Sequence, residues 1–285
     1  MRYALLSALV LIASPSLAAP KVWDQGWDVT SHPDVHVAAS DGHVRIHAGP
    51  AGHVQAHVEY ELKRWGLVIG VSQPTVVFER KGDQIWITAR NPHGIGVIGG
   101  MNERLTVDVT VPQQVFLSIR TGDGAVDCEP LEGRFTFITG DGAVRAHGLK
   151  GEFDISTGDG RVILDDMDGR LRARTRDGHM SASGRFDALD LSTGDGRVDA
   201  TARAGSKLTQ GWSLETGDGA VSIRIPHDIA ALLDARTRDG HINIQIPISV
   251  QGRMSSHSLV GELNGGGPPL RIRTSDGSIT LALSD

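Results

Sequence analysis

The chain contains 285 residues with 36 glycines and few aromatic residues, and its formal net charge is −6 at pH 7. A mildly negative chain argues against nucleic acid and against an anionic membrane surface as partners. The single cysteine, Cys128, excludes an intramolecular disulfide. It stands at a strand position that alanine or leucine fills elsewhere, so we expect a small buried side chain and not a reactive thiol.

The first eighteen residues have the features of an export signal. Arg2 provides a positive start, Ala4–Ala13 is an apolar run too short to cross a bilayer, and Ser16-Leu17-Ala18 places small residues at a cleavage site. We predict a signal peptide over residues 1–18, cleaved after Ala18, and a periplasmic or secreted protein. No later apolar run is long enough to span a membrane, so we expect a chain that is not membrane-spanning.

Two segments precede the regular repeat described below. Residues 19–35 carry Trp23 and Trp27 and show no repeated pattern, and we predict that they form an N-terminal cap over a stacked structure. Residues 36–118 show the same repeated pattern less strictly, and we predict that they form irregular coils. Residues 119–285 follow it with regular Thr-x-Asp-Gly coils, and the two ranges together make one repeat domain.

Four histidines, His43, His47, His53 and His57, alternate with apolar residues. In a hairpin they would all lie on one surface and could bind a transition metal. In one coil of a stacked structure, the two pairs would point outward from opposite sheets as solvated side chains. Residues 40–47 match residues 140–147 in register, which favours the coil.

Residues 94–99 match the pattern G-x-G-x-x-G. A dinucleotide-binding fingerprint must follow a strand and open a helix. Here the next segment, Arg104–Val111, has the alternation of another strand. We therefore predict a flexible loop, and we expect no cofactor.

Asp-Gly pairs recur along the chain, and those from Asp123 to Asp195 are 18 residues apart. Between them apolar and polar residues alternate with period two, which predicts strands with one buried face. A constant register favours coils stacked on one another over a hairpin meander, because equivalent residues then lie roughly 4.8 Å apart. We predict an all-β fold, a β-solenoid of the single-stranded β-helix or β-roll type, with coils of about 18 residues.

The alternation also assigns the inward face of the regular coils. The residues predicted to point inward at the repeated strand positions are Val126, Val144, Val162, Met180 and Val198 in one series and Phe135, Phe153, Leu171 and Leu189 in the other. Ser278–Leu283 forms a strand close to the C-terminus, and we predict that it leaves an open edge suited to docking or self-assembly.

The Asp-Gly ladder admits two interpretations. In the favoured one each pair builds a corner, because aspartate caps a tight turn and glycine tolerates positive φ. The turn glycines are then Gly124, Gly142, Gly160, Gly178, Gly196, Gly219, Gly240 and Gly277. In the other, the ladder binds calcium, with Asp123, Asp141, Asp159, Asp177 and Asp195 as ligands. Only one corner of each coil is acidic, whereas calcium rolls need oxygen ligands from both corners.

An outer patch of arginine and aspartate offers a catalytic alternative, since some solenoids cleave acidic polysaccharides with these two residue types. The patch would combine an arginine series with the ladder carboxylates: Arg172, Arg174, Arg176, Asp159, Asp177 and Asp195. Every one of these residues occupies an ordinary repeat position, and none breaks the pattern as a nucleophile or base would. The sequence therefore predicts no catalytic residues.

Three regions resemble a known bacterial family. A strand ending in Val-Pro or Ile-Pro precedes a Thr-x-Asp-Gly strand at Leu105–Gly124 and again at Val221–Gly240, and a Gly-Gly-Gly segment precedes the last such strand in Leu263–Gly277. These features resemble the exported "putative adhesin" family of β-strand repeats, a domain of unknown function, over most of residues 36–285. The resemblance implies an envelope-associated β-solenoid and brings no catalytic residues.

Three hypotheses follow for the function. The leading one is a non-catalytic, adhesin-like envelope interaction or scaffold protein whose partner is an envelope protein, a glycan or another copy of itself. The first alternative is a carbohydrate-active or carbohydrate-binding solenoid, and the second is a calcium-dependent β-roll.

Overall fold

Period-two alternation of apolar and polar residues governs the structure, a computed structural model that describes residues 19–30, 32–69, 72–92, 96–250 and 255–284. The predicted signal peptide lies outside the described residues. The described residues form strands, turns and irregular connections, with no helix among them, which confirms the all-β prediction. Within the same ranges there is no helix long and apolar enough to cross a membrane.

The N-terminal half of the described chain contains twelve strands. They are β1 (Lys21–Asp28), β2 (Asp34–Ala39), β3 (His43–Gly49), β4 (His53–Ile69), β5 (Thr75–Lys81), β6 (Gln84–Arg90), β7 (Gly96–Pro112), β8 (Gln114–Thr121), β9 (Val126–Cys128), β10 (Glu132–Thr139), β11 (Val144–His147) and β12 (Lys150–Thr157).

Eleven further strands follow in the described part of the C-terminal half. They are β13 (Val162–Thr175), β14 (Met180–Asp195), β15 (Val198–Ala202), β16 (Trp212–Asp218), β17 (Val221–Ile225), β18 (Ala231–Arg236), β19 (Ile242–Ile244), β20 (Ser249–Val250), β21 (Ser258–Leu263), β22 (Pro269–Arg273) and β23 (Ile279–Leu283).

The strands form two series that we call sheet I and sheet II. Sheet I has the order β5-β6-β2-β8-β10-β12-β13-β14-β16-β22-β18-β21-β20. Sheet II has the order β1-β4-β7-β3-β9-β11-β13-β14-β15-β17-β23-β19. The long strands β13 and β14 contribute their first halves to sheet II and their second halves to sheet I.

Parallel pairing in the middle of both sheets joins residues that are 18 positions apart. Phe135 pairs with Phe153 in sheet I, and Val144 pairs with Val162 in sheet II. The stacked rings of Phe135 and Phe153 have centroids 5.5 Å apart. All the residues that the alternation assigned to the interior are buried between the sheets, so that prediction is confirmed.

The stacking order departs from the chain order at both ends. In sheet I, β2 lies between β6 and β8, and β22 lies between β16 and β18. In sheet II, β23 lies between β17 and β19 and pairs with both. The prediction of an open edge at Ser278–Leu283 is therefore wrong. It assumed that the last strand in the chain is also the last in the stack, whereas β19 and β20 occupy the edges.

The N-terminal end of the stack differs from the regular coils because antiparallel strands occur there. Strand β1 is an edge that pairs only with β4 among the described strands, and β4 runs antiparallel to β7 along its length. Trp27 of β1 is buried and meets Phe78 of the sheet I edge strand β5, with ring centroids 5.8 Å apart. The contact joins the two edge strands across the end of the core.

The structure differs from two expectations, one about the regularity of residues 119–285 and one about the loop at residues 94–99. Antiparallel pairing also occurs near the C-terminus, between β18 and β21, so residues 119–285 are not uniformly regular. In the G-x-G-x-x-G segment, residues 96–99 belong to strand β7 and are not a loop, while residues 94 and 95 lie outside the described residues.

Candidate functional site

The Thr-x-Asp-Gly corners are built by backbone contacts between successive coils. The hydroxyl of Thr157 donates to the carbonyl oxygens of Gly140 and Gly142, both at 3.1 Å. Equivalent buried threonines repeat this along the stack: Thr121, Thr139, Thr175, Thr193, Thr216, Thr274 and Thr237. The Gly140 carbonyl also accepts the backbone N–H of Gly158, so the buried hydroxyl adds a second partner there and reaches the Gly142 carbonyl inside the corner.

The turn glycines are required for a reason that differs from the expected one. None of the eight predicted turn glycines has a positive φ. Instead, each corner packs directly on the one before it. A Cβ added to Gly160 would lie 2.0 Å from the carbonyl oxygen of Gly142, and one added to Gly277 would lie 1.8 Å from that of Gly219.

The aspartates of these corners form one continuous row, which we call the acidic ladder. Its spatial order is Asp41, Asp123, Asp141, Asp159, Asp177, Asp195, Asp218, Asp276 and Asp239. The interleaved last coil makes the row continuous although the chain spacing is irregular there. Carboxylates also shape the corners, since Asp141 accepts a hydrogen bond from the backbone N–H of Asp159 at 3.3 Å.

Mutual repulsion is strongest near the C-terminal end of the acidic ladder. The carboxylate of Asp276 is the largest cause that raises the pKa of Asp218 above its usual value. Desolvation and Asp195 add to the rise, and Arg238 opposes it. Across the described residues, no group of three or more histidine, cysteine, aspartate or glutamate side chains could hold a metal ion.

The pKa of Asp218 gives a first prediction. Because this pKa is higher in the folded than in the unfolded chain, the free energy of unfolding decreases as pH rises through the interval between the two values. We expect Asp218→Asn to raise the melting temperature near neutral pH and to have no effect at about pH 3, where the carboxyl is protonated in both states. Thermal melts across pH test this, with Asp154→Asn as the control outside the ladder. An Asp218→Asn gain that persists at low pH would contradict the repulsion.

The four histidines lie on the outward face of sheet II, and each is paired with a carboxylate. His57 Nδ1 is 2.6 Å from Asp24 and His53 Nδ1 is 3.1 Å from Asp28. His47 Nδ1 is 2.9 Å from Glu129, and His43 pairs with Asp127. These contacts tie β1 to β4 and β3 to β9.

The placement of the histidines corrects the expectation drawn from the coil match. Strands β3 and β4 both belong to sheet II, with β7 between them, so the two histidine pairs do not point from opposite sheets. The match to residues 140–147 correctly gave the position of β3, which pairs in register with β9. It could not show that the chain reverses after β3 and returns in the same sheet.

Cys128 is buried in the core, as its position in the repeat indicated. Burial, with a smaller contribution from Glu129, raises the pKa of its thiol. Burial followed by the charge of Glu103 likewise raises the pKa of Tyr60 to about 12. Both groups therefore stay neutral near pH 7, which suits packing and not nucleophilic chemistry.

The outward face of sheet I carries a groove of about 390 Å³ across strands β10 to β14. Glu152 lies between two arginines, 3.1 Å from Arg134 and 3.5 Å from Arg170. Asp190 lies between Arg172 at 3.1 Å and Arg174 at 3.5 Å. Thr136, Asp154 and Gln210 complete the polar lining, and Ala188 contributes an apolar methyl group.

A second depression of about 570 Å³ adjoins the groove on the same face. It is lined by Arg236, Arg238 and Arg273 together with serine and threonine side chains and Glu215. Asp234 pairs with Arg236 and Arg273, both at 2.8 Å. We call this depression the basic pocket.

The arginines and ladder carboxylates of the alternative, catalytic interpretation do not form one constellation. Arg172 and Arg174 lie on the face of sheet I, whereas Asp159, Asp177 and Asp195 stand at the corner in the acidic ladder. Arg176 is the connection, 3.8 Å from Asp159. The sequence does not single out the groove, because its members occupy ordinary outward positions of successive coils. It does not single out the basic pocket, because the members of that pocket come from strands far apart in the chain.

The chain matches none of the curated proteins. Among solved structures, a "putative cell adhesion protein" from Clostridium sporogenes is 14% identical over 93% of this chain and 100% of that one, with a TM-score of 0.28. A "putative adhesin" from Bacteroides fragilis is 10% identical over 93% and 97%, with a TM-score of 0.38. A "putative lipid binding protein" from Parabacteroides distasonis is 11% identical over 92% and 96%, with a TM-score of 0.46.

The family model described as Toastrack DUF4097 matches residues 34–282. This range contains the three regions that carried the resemblance to the exported family of unknown function, and it confirms that resemblance. The chain belongs to the Toastrack DUF4097 family.

Proposed function

We propose that the chain is an exported, non-catalytic β-solenoid with coils of about 18 residues that presents one sheet face to a partner in the cell envelope. The role is adhesin-like, and the partner is an envelope protein, a glycan or a second copy. The observation that carries the proposal is the groove and adjoining basic pocket on the outward face of sheet I.

The salt bridges in the groove favour binding over catalysis. Glu152 and Asp190 are each shared between two arginines, so neither is directed at a reacting atom as a general acid or base. Ordered side chains of both charges present a surface whose hydrogen-bonding groups are already held in place. Such preorganisation lowers the entropy lost when a partner binds.

Site-specific photo-cross-linking in the native envelope tests this function. A cross-linking residue at Thr136, in the groove, is compared with one at Ser222, a position on the outward side of sheet II. We expect the Thr136 variant to capture envelope material and the Ser222 variant to capture little. Recovery of both variants from the periplasm or medium would support export. Equal capture at the two positions, or none at Thr136, would contradict a role for sheet I as the interaction face.

A further inference from the structure

We propose that the outward face of sheet I binds an acidic glycan, with sugar hydroxyl groups in the groove and an acidic substituent in the basic pocket. The inference rests on the proposed function, because it names the partner class for the same face.

The groove has the chemistry of a site for a polyhydroxylated chain. Its lining contains three arginines, which donate hydrogen bonds, and three carboxylates, which accept them: Arg134, Arg170, Arg172, Glu152, Asp154 and Asp190. Equal numbers of opposite charges leave the groove lining without a net charge, so the groove itself does not select between an acidic and a neutral chain. Hydroxyl groups both donate and accept, so a sugar chain can use both kinds of side chain.

An exposed aromatic ring lies beside the groove. Phe116 is 44% exposed although most rings in this chain are buried, and the guanidinium of Arg134 lies 6.0 Å from its centroid. A little further across sheet I, Trp86 stacks on His36 with centroids 5.5 Å apart. Flat apolar faces next to polar groups suit pyranose rings, which have apolar C–H faces and polar edges.

The basic pocket provides the specificity for an acidic substituent on the glycan. Arg236 and Arg273 each direct one nitrogen at Asp234, whereas Arg238 donates to the hydroxyl of Ser275 at 3.5 Å. The three guanidinium groups outnumber the two carboxylates, Glu215 in the lining and Asp234 beside it, by one. An arginine fork matches a carboxylate or sulfate in bidentate geometry, so we assign Arg238 as the group that binds the acidic substituent.

The two depressions are continuous across sheet I. Asp190 of the groove and Ser192 of the basic pocket are two residues apart on β14, so both face outward from the same strand. Together the two depressions cover seven neighbouring strands, from β10 to β18 inclusive. At the usual strand spacing they span roughly 29 Å, which fits several sugar units and not a single monosaccharide.

Calorimetric titration of the full chain with polygalacturonate oligomers tests the proposal, and the methyl-esterified oligomers serve as the neutral counterpart of the same length. We expect the acidic oligomer to bind at least about 10-fold more tightly, as one charge-assisted contact allows. Arg238→Gln should reduce that affinity to the level of the ester and leave binding of the ester unchanged. The matched control is Arg224→Gln on sheet II, which removes the same charge and should leave both affinities unchanged.

The groove is tested separately from the basic pocket. Asp154→Ala removes a carboxylate that can accept a hydrogen bond from a sugar hydroxyl, and it should lower the affinity for both oligomers by about 5-fold or more. Asp165→Ala on sheet II should lower the affinity for neither. Binding of neither oligomer, or tighter binding of duplex DNA or phosphatidylglycerol vesicles, would overturn the glycan assignment. If these titrations fail while Thr136 still cross-links an envelope protein, the proposed function survives and the partner class is wrong.

Discussion

Replacing Gly160 with alanine is expected to cost at least about 3 kcal/mol of the free energy of unfolding. The new Cβ would lie 2.0 Å from the carbonyl oxygen of Gly142 and 2.5 Å from Oγ1 of Thr157. Neither atom can move alone, because the carbonyl belongs to the backbone of the preceding coil and Thr157 is hydrogen-bonded to it. Two coils must therefore separate at the corner, which disrupts the strand pairing beside it.

The control for this substitution is Gly82→Ala in the turn between β5 and β6. Gly82 has a φ of 63°, and a Cβ there meets nothing within 4 Å. Gly82→Ala should reduce the free energy of unfolding only by the strain of alanine in the left-handed conformation, about 1–2 kcal/mol. Urea denaturation of both variants measures the difference. A Gly160→Ala variant as stable as Gly82→Ala would show that the coils do not pack as closely as described.

Replacing Leu281 with alanine is expected to cost about 2–5 kcal/mol of the free energy of unfolding, although the residue lies four positions before the last residue of the sequence. Leu281 is fully buried, and its strand β23 pairs with both β17 and β19. The same substitution in a terminal strand at an open edge would reduce the free energy of unfolding far less, because such a strand frays and its side chains keep part of their contact with water.

Ile244 provides the matched position, since it pairs with Leu281 in the register of sheet II but lies on the edge strand β19. It is only partly buried, so Ile244→Ala should cost clearly less than Leu281→Ala. Equilibrium unfolding compares the two. Amide hydrogen exchange should also be slower in β23 than in β19. A smaller loss of stability for Leu281→Ala than for Ile244→Ala, together with faster exchange in β23, would show that β23 and not β19 is the edge strand.

Local patterns in the sequence account for the middle of the fold. The alternation around Phe135 and Val144 specifies which side of each strand is buried, since a shift by one residue would expose every apolar side chain. The constant spacing of the Asp-Gly pairs then fixes the register between neighbouring coils. Both signals are local or strictly periodic, so they can be read without knowing the tertiary structure.

The ends of the stack and the candidate site carry no comparable signal. The alternation of apolar and polar residues in β22 is compatible with pairing to β16 only or to β18 only. Packing across the whole C-terminal end of the stack decides that β22 lies between them. The groove brings together β10, β12, β13 and β14 on their outward faces, where single polar residues are weakly constrained. Charge-paired side chains such as Arg172 and Asp190 become a site only once the register places them side by side.

Hydroxyl-radical footprinting with and without polygalacturonate tests most directly whether sheet I is the interaction face. Phe116 beside the groove and His47 on the outward side of sheet II are both exposed enough to be oxidised. The account predicts that the polymer lowers the oxidation of Phe116 and leaves that of His47 unchanged. Protection of His47 with Phe116 still reactive would contradict it, because the partner would then occupy the opposite sheet.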